Sequence, residues 1–367
     1  MGTRAQGLSI TILGLTITSS WGNGHATTFR SLVKGLDSLG HRVTFLERDV
    51  PWYAQNRDLP DPPSCRTVLY DSLEELIETH TETVRDADLV MVGSYVPQGI
   101  AVGTWVLDTA RGVTSFYDID TPVTLARLKA NRCEYLTPEL VSGYGIYFTF
   151  TGGPTLRLLE NVYSSPMARP LYCSVDSDTY FPGGTADAWD LGYMGTYSPD
   201  RQPGLSSLLM DPALQWSQGR FVVAGPKYPE EIAWPGNVHR IEHLPPSDHC
   251  RFYNSQRFTL NLTRSDMVRA GWSPSVRLFE AAACATPVIS DWWEGLDELF
   301  HPGKEILVCR SPENVLDILV HTTDFERNRI GEAARDKILA SHTSIQRARE
   351  LEEYYQEAFC GVDSVIF

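Results

Sequence analysis

The chain lacks any run of about 18 apolar residues, and its start lacks the basic, long-apolar and small-residue pattern of a signal peptide, so neither a membrane span nor secretion is expected. It lacks an excess of positive charge: 31 Lys and Arg stand against 46 Asp and Glu, a formal net charge of -15. That balance argues against a broad phosphate-backbone or anionic-membrane surface, so nucleic acid is not an expected partner, while a local basic pocket stays compatible with it. The seven cysteines, Cys65, Cys133, Cys173, Cys250, Cys284, Cys309 and Cys360, include no C-x-x-C pair. They read as reduced, mostly structural thiols of a cytoplasmic chain. Internal repeats, low-complexity tracts and long charge blocks are absent. A complete G-x-G-x-x-G is missing as well. Gly22 and Gly24 supply part of one, and the acidic ribose reader about twenty residues further on is met only loosely by Glu47 or Asp49.

What is present is a repeating rhythm of apolar strand, glycine-containing loop and helix. At 367 residues the chain exceeds what one hydrophobic core supports, and two domains of roughly 170 to 190 residues are expected. Leu8 to Thr16 reads as a buried strand, Ser19 to His25 as a turn, Ala26 to Leu39 as a helix stopped at Gly40, and His41 to Leu46 as the next strand, together one βαβ unit. Further strands are expected at Ala87 to Val92, Gly112 to Tyr117 and Gly145 to Phe150. The mixed stretch Pro166 to Gly184 marks a boundary, after which a second set begins: Leu191 to Met194, Phe221 to Ala224, Val238 to Ile241, Phe258 to Leu262, Pro287 to Ser290 and Ile306 to Val308. Asp324 to Phe359 reads as helical throughout. The fold class is α/β, with two doubly wound domains, residues 1–170 and 171–340, and a C-terminal helix over 341–367.

The most informative segment runs from Gly271 to Ser290. Ser273 fits an N-cap and Pro274 the first helical position, so Ser275 and the residues after it would present free N–H groups and a positive dipole end to a phosphate. Arg277 adds a guanidinium, and Glu280, one turn on, could accept two neighbouring hydroxyls such as a ribose diol. On spacing alone an ordinary exposed helix with a solvated Arg/Glu pair fits equally well.

This stretch is similar to the donor-binding helix of GT-B glycosyltransferases, in which a Glu, a small-residue run and Thr-Pro-Val-Ile follow one another. From about Leu8 to about Tyr355 the chain resembles the CgeB-like branch, a spore-maturation-protein-like family. The matching pieces are Gly22 to Thr28, Tyr117 to Pro122, Thr149 to Pro154 and Pro170 to Asp176, in that order. The resemblance implies two Rossmann-like domains facing a central cleft, a cytoplasmic metal-independent transferase, no cofactor beyond a nucleotide-diphosphate sugar as donor, and an unidentified hydroxyl-bearing acceptor. It departs from the family at Trp272, where retaining members carry a second Glu, and at Ala285, where a Gly is usual.

The remaining candidates lie at strand ends, where open α/β sheets bind ligands. Gly22 and Gly24 allow close backbone approach. His25 opens the first helix, as a sugar-lining residue or as a hydrogen-bonded cap. In Asp118-Ile119-Asp120 one carboxylate is expected to act as general base and the other to cap the helix entered at Pro122. The pair also resembles a D-x-D metal motif, set aside because the other motifs fit GT-B. Arg201, Lys227 and Arg264 are candidate phosphate ligands, and His243-Leu244 a candidate nucleobase loop. Trp292 and Trp293 fit either a sugar-stacking wall or internal packing. The expected function is transfer of a sugar from nucleotide-diphosphate donor to acceptor; the alternatives are a nucleotide-sugar epimerase and a non-catalytic nucleotide-sugar-binding protein of the same fold.

Overall fold

Strands buried on both faces of a parallel sheet read as unbroken apolar runs, and Leu89-Val90-Met91-Val92 and Phe221-Val222-Val223-Ala224 are such runs, every residue of them buried. In the computed structural model, which describes residues 7–184 and 186–363, the chain divides into two compact units. The extreme ends of the expected domains, residues 1–6 and 364–367, lie outside the described residues. One unit comprises Met1–Ser174 with Ser344–Phe367, the other Val175–Thr343.

The first unit holds seven strands: β1 (Ser9–Gly14), β2 (Arg42–Arg48), β3 (Arg66–Tyr70), β4 (Leu89–Gly93), β5 (Val113–Asp118), β6 (Ile146–Thr149) and β7 (Ala168–Pro170). Their order is β3-β2-β1-β4-β5-β6-β7, and every pairing is parallel. β3 and β7 are the two edges, and neither is apolar enough to be read from sequence: β3 opens on Arg66 and Thr67 and is largely uncovered, and Ala168-Arg169-Pro170 is three residues long. The expected first strand is cut short at Gly14, because Glu47 captures the chain beyond it. This buried carboxylate accepts the N–H groups of Ile17 (2.7 Å) and Thr18 (3.1 Å) and the hydroxyls of Thr16 (3.0 Å) and Thr18 (2.6 Å). Glu47 therefore binds the chain's own loop and is not a ribose reader; Asp49 pairs with Arg57 at 2.6 Å.

The second unit holds six parallel strands: β8 (Trp189–Met194), β9 (Phe221–Ala224), β10 (Val238–Ile241), β11 (Gln256–Asn261), β12 (Val288–Ser290) and β13 (Leu307–Val308), in the order β10-β9-β8-β11-β12-β13. Each sheet reverses direction of growth once, between β1 and β4 and between β8 and β11. Those switch points are where a doubly wound sheet opens a crevice beyond its strand ends.

The expected helix Asp324–Phe359 is two helices, Asp324–Ser341 and Ser344–Asp363, parted at His342 and Thr343. The break is fixed by pairing, since Val175 N–H donates to the His342 carbonyl at 3.0 Å and Val175 bridges Thr343. The terminal helix packs on His25–Ser38 so closely that a Cβ at Gly35 would stand 2.0 Å from the Ser344 carbonyl oxygen. Ser31 Oγ lies 2.7 Å from Ser174 Oγ and 2.8 Å from Ser344 Oγ in the same seam.

Candidate functional site

In the second unit the helix Val276–Ala283 starts two residues later than Ser273 predicts; its N-cap is Ser275, and Pro274 precedes the cap. Ser275 does not use its hydroxyl to cap. It donates to Asn261 Oδ1 at 2.7 Å, at the end of β11. The same oxygen accepts from Arg277 Nη1 at 2.8 Å, while Arg277 Nε donates to the Met194 carbonyl at 2.6 Å, at the end of β8. Arg277 is thus buried between two neighbouring strand ends, its guanidinium 5.0 Å over the Tyr193 ring. The glycine after β8 is needed here, since a Cβ on Gly195 would lie 3.1 Å from Arg277 Nη2.

Arg201 and Arg264 follow β8 and β11, and Arg201 feels the charges of both Arg277 and Arg264. Burial first, and then the like charges of Arg277 and Arg264, hold the Arg201 guanidinium below its ordinary pKa, with Tyr193 and Tyr228 opposing. Arg201 Nη2 donates to the Thr196 carbonyl at 2.6 Å, and its buried Nε has no hydrogen-bond partner. Asp200 feels the same cluster. Against the upward push of burial, hydrogen bonds from Ser198 and Ser265 and the charges of Arg264 and Arg201 keep its carboxyl below the usual range. Three guanidinium groups drawn together at two strand ends form a positive recess in a chain of net charge -15, an arrangement suited to a diphosphate.

Glu280 lies one turn beyond Arg277 and is buried. Tyr180 Oη donates to its Oε1 at 2.8 Å and Tyr253 Oη to its Oε2 at 2.9 Å. Burial, and then the charge of Glu280, push both phenols well above their ordinary pKa, so they remain donors. Lys227 is exposed in a left-handed turn (φ 69°), away from hydrogen bonds to this cluster. His243 is exposed after β10, and the Leu244 carbonyl lies 3.3 Å from His249 Nε2. Trp293 is 1% exposed and belongs to the core, whereas Trp292 is 38% exposed. Trp272 takes a positive φ of 43°, donates its N–H to the Glu294 carbonyl at 2.6 Å and covers Gly295, where a Cβ would be 2.4 Å from its ring.

In the first unit the start of helix His25–Ser38 is occupied by the chain itself: Asn23 Oδ1 accepts from the N–H groups of His25 (3.0 Å) and Ala26 (3.2 Å). Gly22 is in the left-handed region (φ 67°), and Gly24 is the N-cap. Space beside both is open, for a Cβ on either would meet nothing within 4 Å. His25 is buried, its ring edge-on to Tyr95 at 5.5 Å, and its Nδ1 has no hydrogen-bond partner. Burial brings its pKa down to about 4, opposed by the charge of Asp120, so the ring is neutral at pH 7.

Asp118 and Asp120 part company because β5 ends at Asp118, and Asp120 lies beyond the strand at the cap of the next helix. Asp118, at the end of β5, is fully enclosed; it accepts from Tyr147 Oη (2.6 Å), Thr124 Oγ1 (2.8 Å) and the Asp120 N–H (3.2 Å). Burial pushes its pKa up to about 6 in spite of those donors. Asp120 is half-buried at the N-cap of helix Thr121–Lys129 and makes no side-chain cap bond there. It accepts instead from Tyr95 Oη at 3.1 Å, so the base and cap roles do not divide between the two carboxylates as expected: neither side chain caps. Thr151 and Gly152 are buried, and Gly153 holds φ 56° and ψ −138° at the cap of helix Pro154–Asn161, a conformation open to glycine. Among the described residues no three His, Cys, Asp or Glu side chains converge as a metal site would require.

Tyr95, Asn261, Tyr180 and Tyr253 were not identified from sequence. Tyr95 and Asn261 carry a signal, since each lies at or just beyond a central apolar strand beside a switch point. Tyr180 and Tyr253 carry none; they lie 100 and 27 residues from the carboxylate they meet.

Residues 201–353, which include all three arginines and Glu280, match the family described as glycosyl transferase-like. No curated protein sequence matches the chain. Among solved structures, it is similar to sucrose-phosphate synthase from Thermosynechococcus elongatus (14% identity, 96% of this chain and 100% of that one, TM-score 0.69). It is similar to HepE of Anabaena in complex with UDP and glucose (12% identity, 95% and 100%, TM-score 0.69), and to AviGT4, a glycosyltransferase of avilamycin A biosynthesis (18%, 96% and 98%, TM-score 0.61). The fold is GT-B. Within that fold the arginine recess, Glu280 and the loop at His243 all belong to the C-terminal unit, and His25, Tyr95 and Asp120 to the N-terminal one. No helix among the described residues is long and apolar enough to cross a membrane.

Proposed function

We propose that this chain is a cytoplasmic glycosyltransferase, allied to the CgeB-like branch, that moves a sugar from a nucleotide-diphosphate donor to a hydroxyl-bearing acceptor. The observation that carries the reading is the meeting of Arg201, Arg264 and Arg277 at the ends of β8 and β11, with Glu280 one turn further along the Arg277 helix. Arg201, Arg264 and Arg277 hold the diphosphate, Glu280 accepts the ribose hydroxyls, and the segment at His243 and Leu244 faces the base. Gly22 and Gly24 admit the donor close to the backbone, and Lys227 adds at most a solvated charge. Asp120 takes the acceptor proton as the new C–O bond forms at the anomeric carbon; the bond to the β-phosphate oxygen breaks, and the guanidinium groups stabilise the charge that develops there without a metal. Asp118 is enclosed and acts on Asp120 through its backbone N–H, while neutral His25 supplies a hydrogen bond to a sugar hydroxyl.

The test is a thermal-shift screen of the parent and Glu280→Ala with UDP, GDP, TDP, ADP and CDP and their common sugars. One nucleotide family should raise the parent's melting temperature by mass action, and the variant should lose that shift. No shift with any of them, from folded protein, would remove the donor site and the function with it. Product analysis with the stabilising donor then separates transfer from epimerisation.

A further inference from the structure

His249 sits in the helix Pro246–Asn254, one turn before Tyr253, and each of its ring nitrogens meets an oxygen. Nδ1 is 3.4 Å from Tyr180 Oη and 4.0 Å from Glu280 Oε2; Nε2 is 3.3 Å from the Leu244 carbonyl oxygen. The carbonyl can only accept. Tyr180 has one O–H, and at 2.8 Å that hydrogen belongs to Glu280 Oε1, so toward His249 the phenol offers a lone pair. Both ring nitrogens therefore face acceptors, and a neutral imidazole, with one N–H, can satisfy one end at a time.

We propose that His249 is a positioning residue that couples the ribose carboxylate to the segment after β10 and thereby sets nucleobase selectivity. The inference rests on the donor-site reading above. When a ribose hydroxyl donates to Glu280 Oε1, it replaces the hydrogen bond from Tyr180. The freed Tyr180 O–H then turns to donate to His249 Nδ1, which fixes the ring hydrogen on Nε2 and secures the Leu244 carbonyl. With the ring hydrogen fixed on Nε2, the base-facing segment is held more firmly when ribose is in place. Hydrogen bonds aligned in series strengthen one another, so the chain from ribose through Glu280, Tyr180 and His249 to Leu244 acts as one unit. The Tyr180 hydrogen changes acceptor from Glu280 to His249; where the ring hydrogen began on Nδ1, that proton is given up to solvent and one is taken up at Nε2, with no net change in charge.

Calorimetric titration of the full chain with UDP, GDP and ADP, and with inorganic pyrophosphate as a probe that has neither base nor ribose, tests this. The parent should prefer one nucleoside diphosphate. In His249→Ala that preferred nucleotide should weaken about tenfold and the ranking among bases should narrow, with pyrophosphate unaffected. His249→Gln, whose amide can still donate to the Leu244 carbonyl, should recover part of the ranking. A folded His249→Ala protein that keeps both affinity and ranking overturns the proposal, and so does an equal loss of pyrophosphate, which marks a merely structural residue. Should His249→Ala not fold, Tyr180→Phe breaks the same chain at its hydroxyl and must narrow the ranking in its place. A parent that binds pyrophosphate and all three nucleotides alike sinks the selectivity role alone; one that binds none of them sinks the donor site.

Discussion

His25 and Asp118 are both buried in the first unit, and burial moves their pKa values in opposite senses, from 6.5 to about 4 and from 3.8 to about 6. A lowered histidine contributes stability that is present above pH 6.5 and is lost as pH falls through about 4. A raised carboxyl contributes stability that is present below pH 3.8 and is lost as pH rises through about 6. At about 1.4 kcal/mol per unit each effect is bounded by about 3 kcal/mol, and between pH 4 and 6 the two nearly cancel. Melting curves across that window should therefore show His25→Gln losing stability with rising pH relative to the parent, and Asp118→Asn gaining it. Parallel profiles for all three proteins would mean that neither group is perturbed as its burial implies. A second residue-level contrast concerns the cations: Arg277→Lys cannot reach Met194 and Asn261 with a planar fork, and nucleoside diphosphate affinity should drop at least tenfold, about 1.4 kcal/mol, whereas Lys227→Ala should leave it within about twofold. Equal losses from both titrations would place the phosphate elsewhere.

Helices and strands differ in how openly they announce themselves. The central strands β1, β4, β5, β6, β9 and β11 are legible because a strand covered on both faces is rich in apolar residues. Edge strands β3 and β7 are half covered, and their composition blends with loops. The helix Val276–Ala283 was legible in existence but not in start, because the hydroxyl of Ser275 goes to Asn261, a partner 14 residues back, and the cap rule counts only local bonds. The seam between His25–Ser38 and Ser344–Asp363 offers a test at this scale. Alanine at Gly35 would gain roughly 1 kcal/mol of helix propensity in an isolated helix. Here its Cβ meets backbone at 2.0 Å, so chemical denaturation should show a net loss of about 1 to 3 kcal/mol. An unchanged or raised midpoint would show that the seam opens freely.

For the molecule as a whole, charge sets the relation to surroundings while local geometry sets the site. A net charge of -15 repels polyanions, and three arginines do not reverse that field beyond a Debye length of about 10 Å at 0.1 M salt. Duplex DNA should therefore not bind detectably in a gel shift at about 50 mM salt, where phosphate-contacting proteins bind best. A salt-sensitive complex would point to a basic surface that the composition conceals. The same contrast lets a chain so acidic carry the proposed diphosphate site, because screening confines the field of the acidic excess to short range.

The sequence by itself determined the α/β class, the two-part organisation of strands, the strand-end placement of His25, Asp120, Arg201 and Arg264, and the Arg277 to Glu280 spacing. All of these follow from interactions of short range along the chain: periodicity, turns, and the fixed geometry of one helical turn. Tertiary structure alone decided which of Asp118 and Asp120 faces outward, that Glu47 serves its own loop, that Trp293 is core while Trp292 is not, and that Tyr180, Tyr253 and His249 gather around Glu280. Those outcomes depend on which groups lose their water and which donors replace it, and desolvation is settled by neighbours that the chain brings from far along its length.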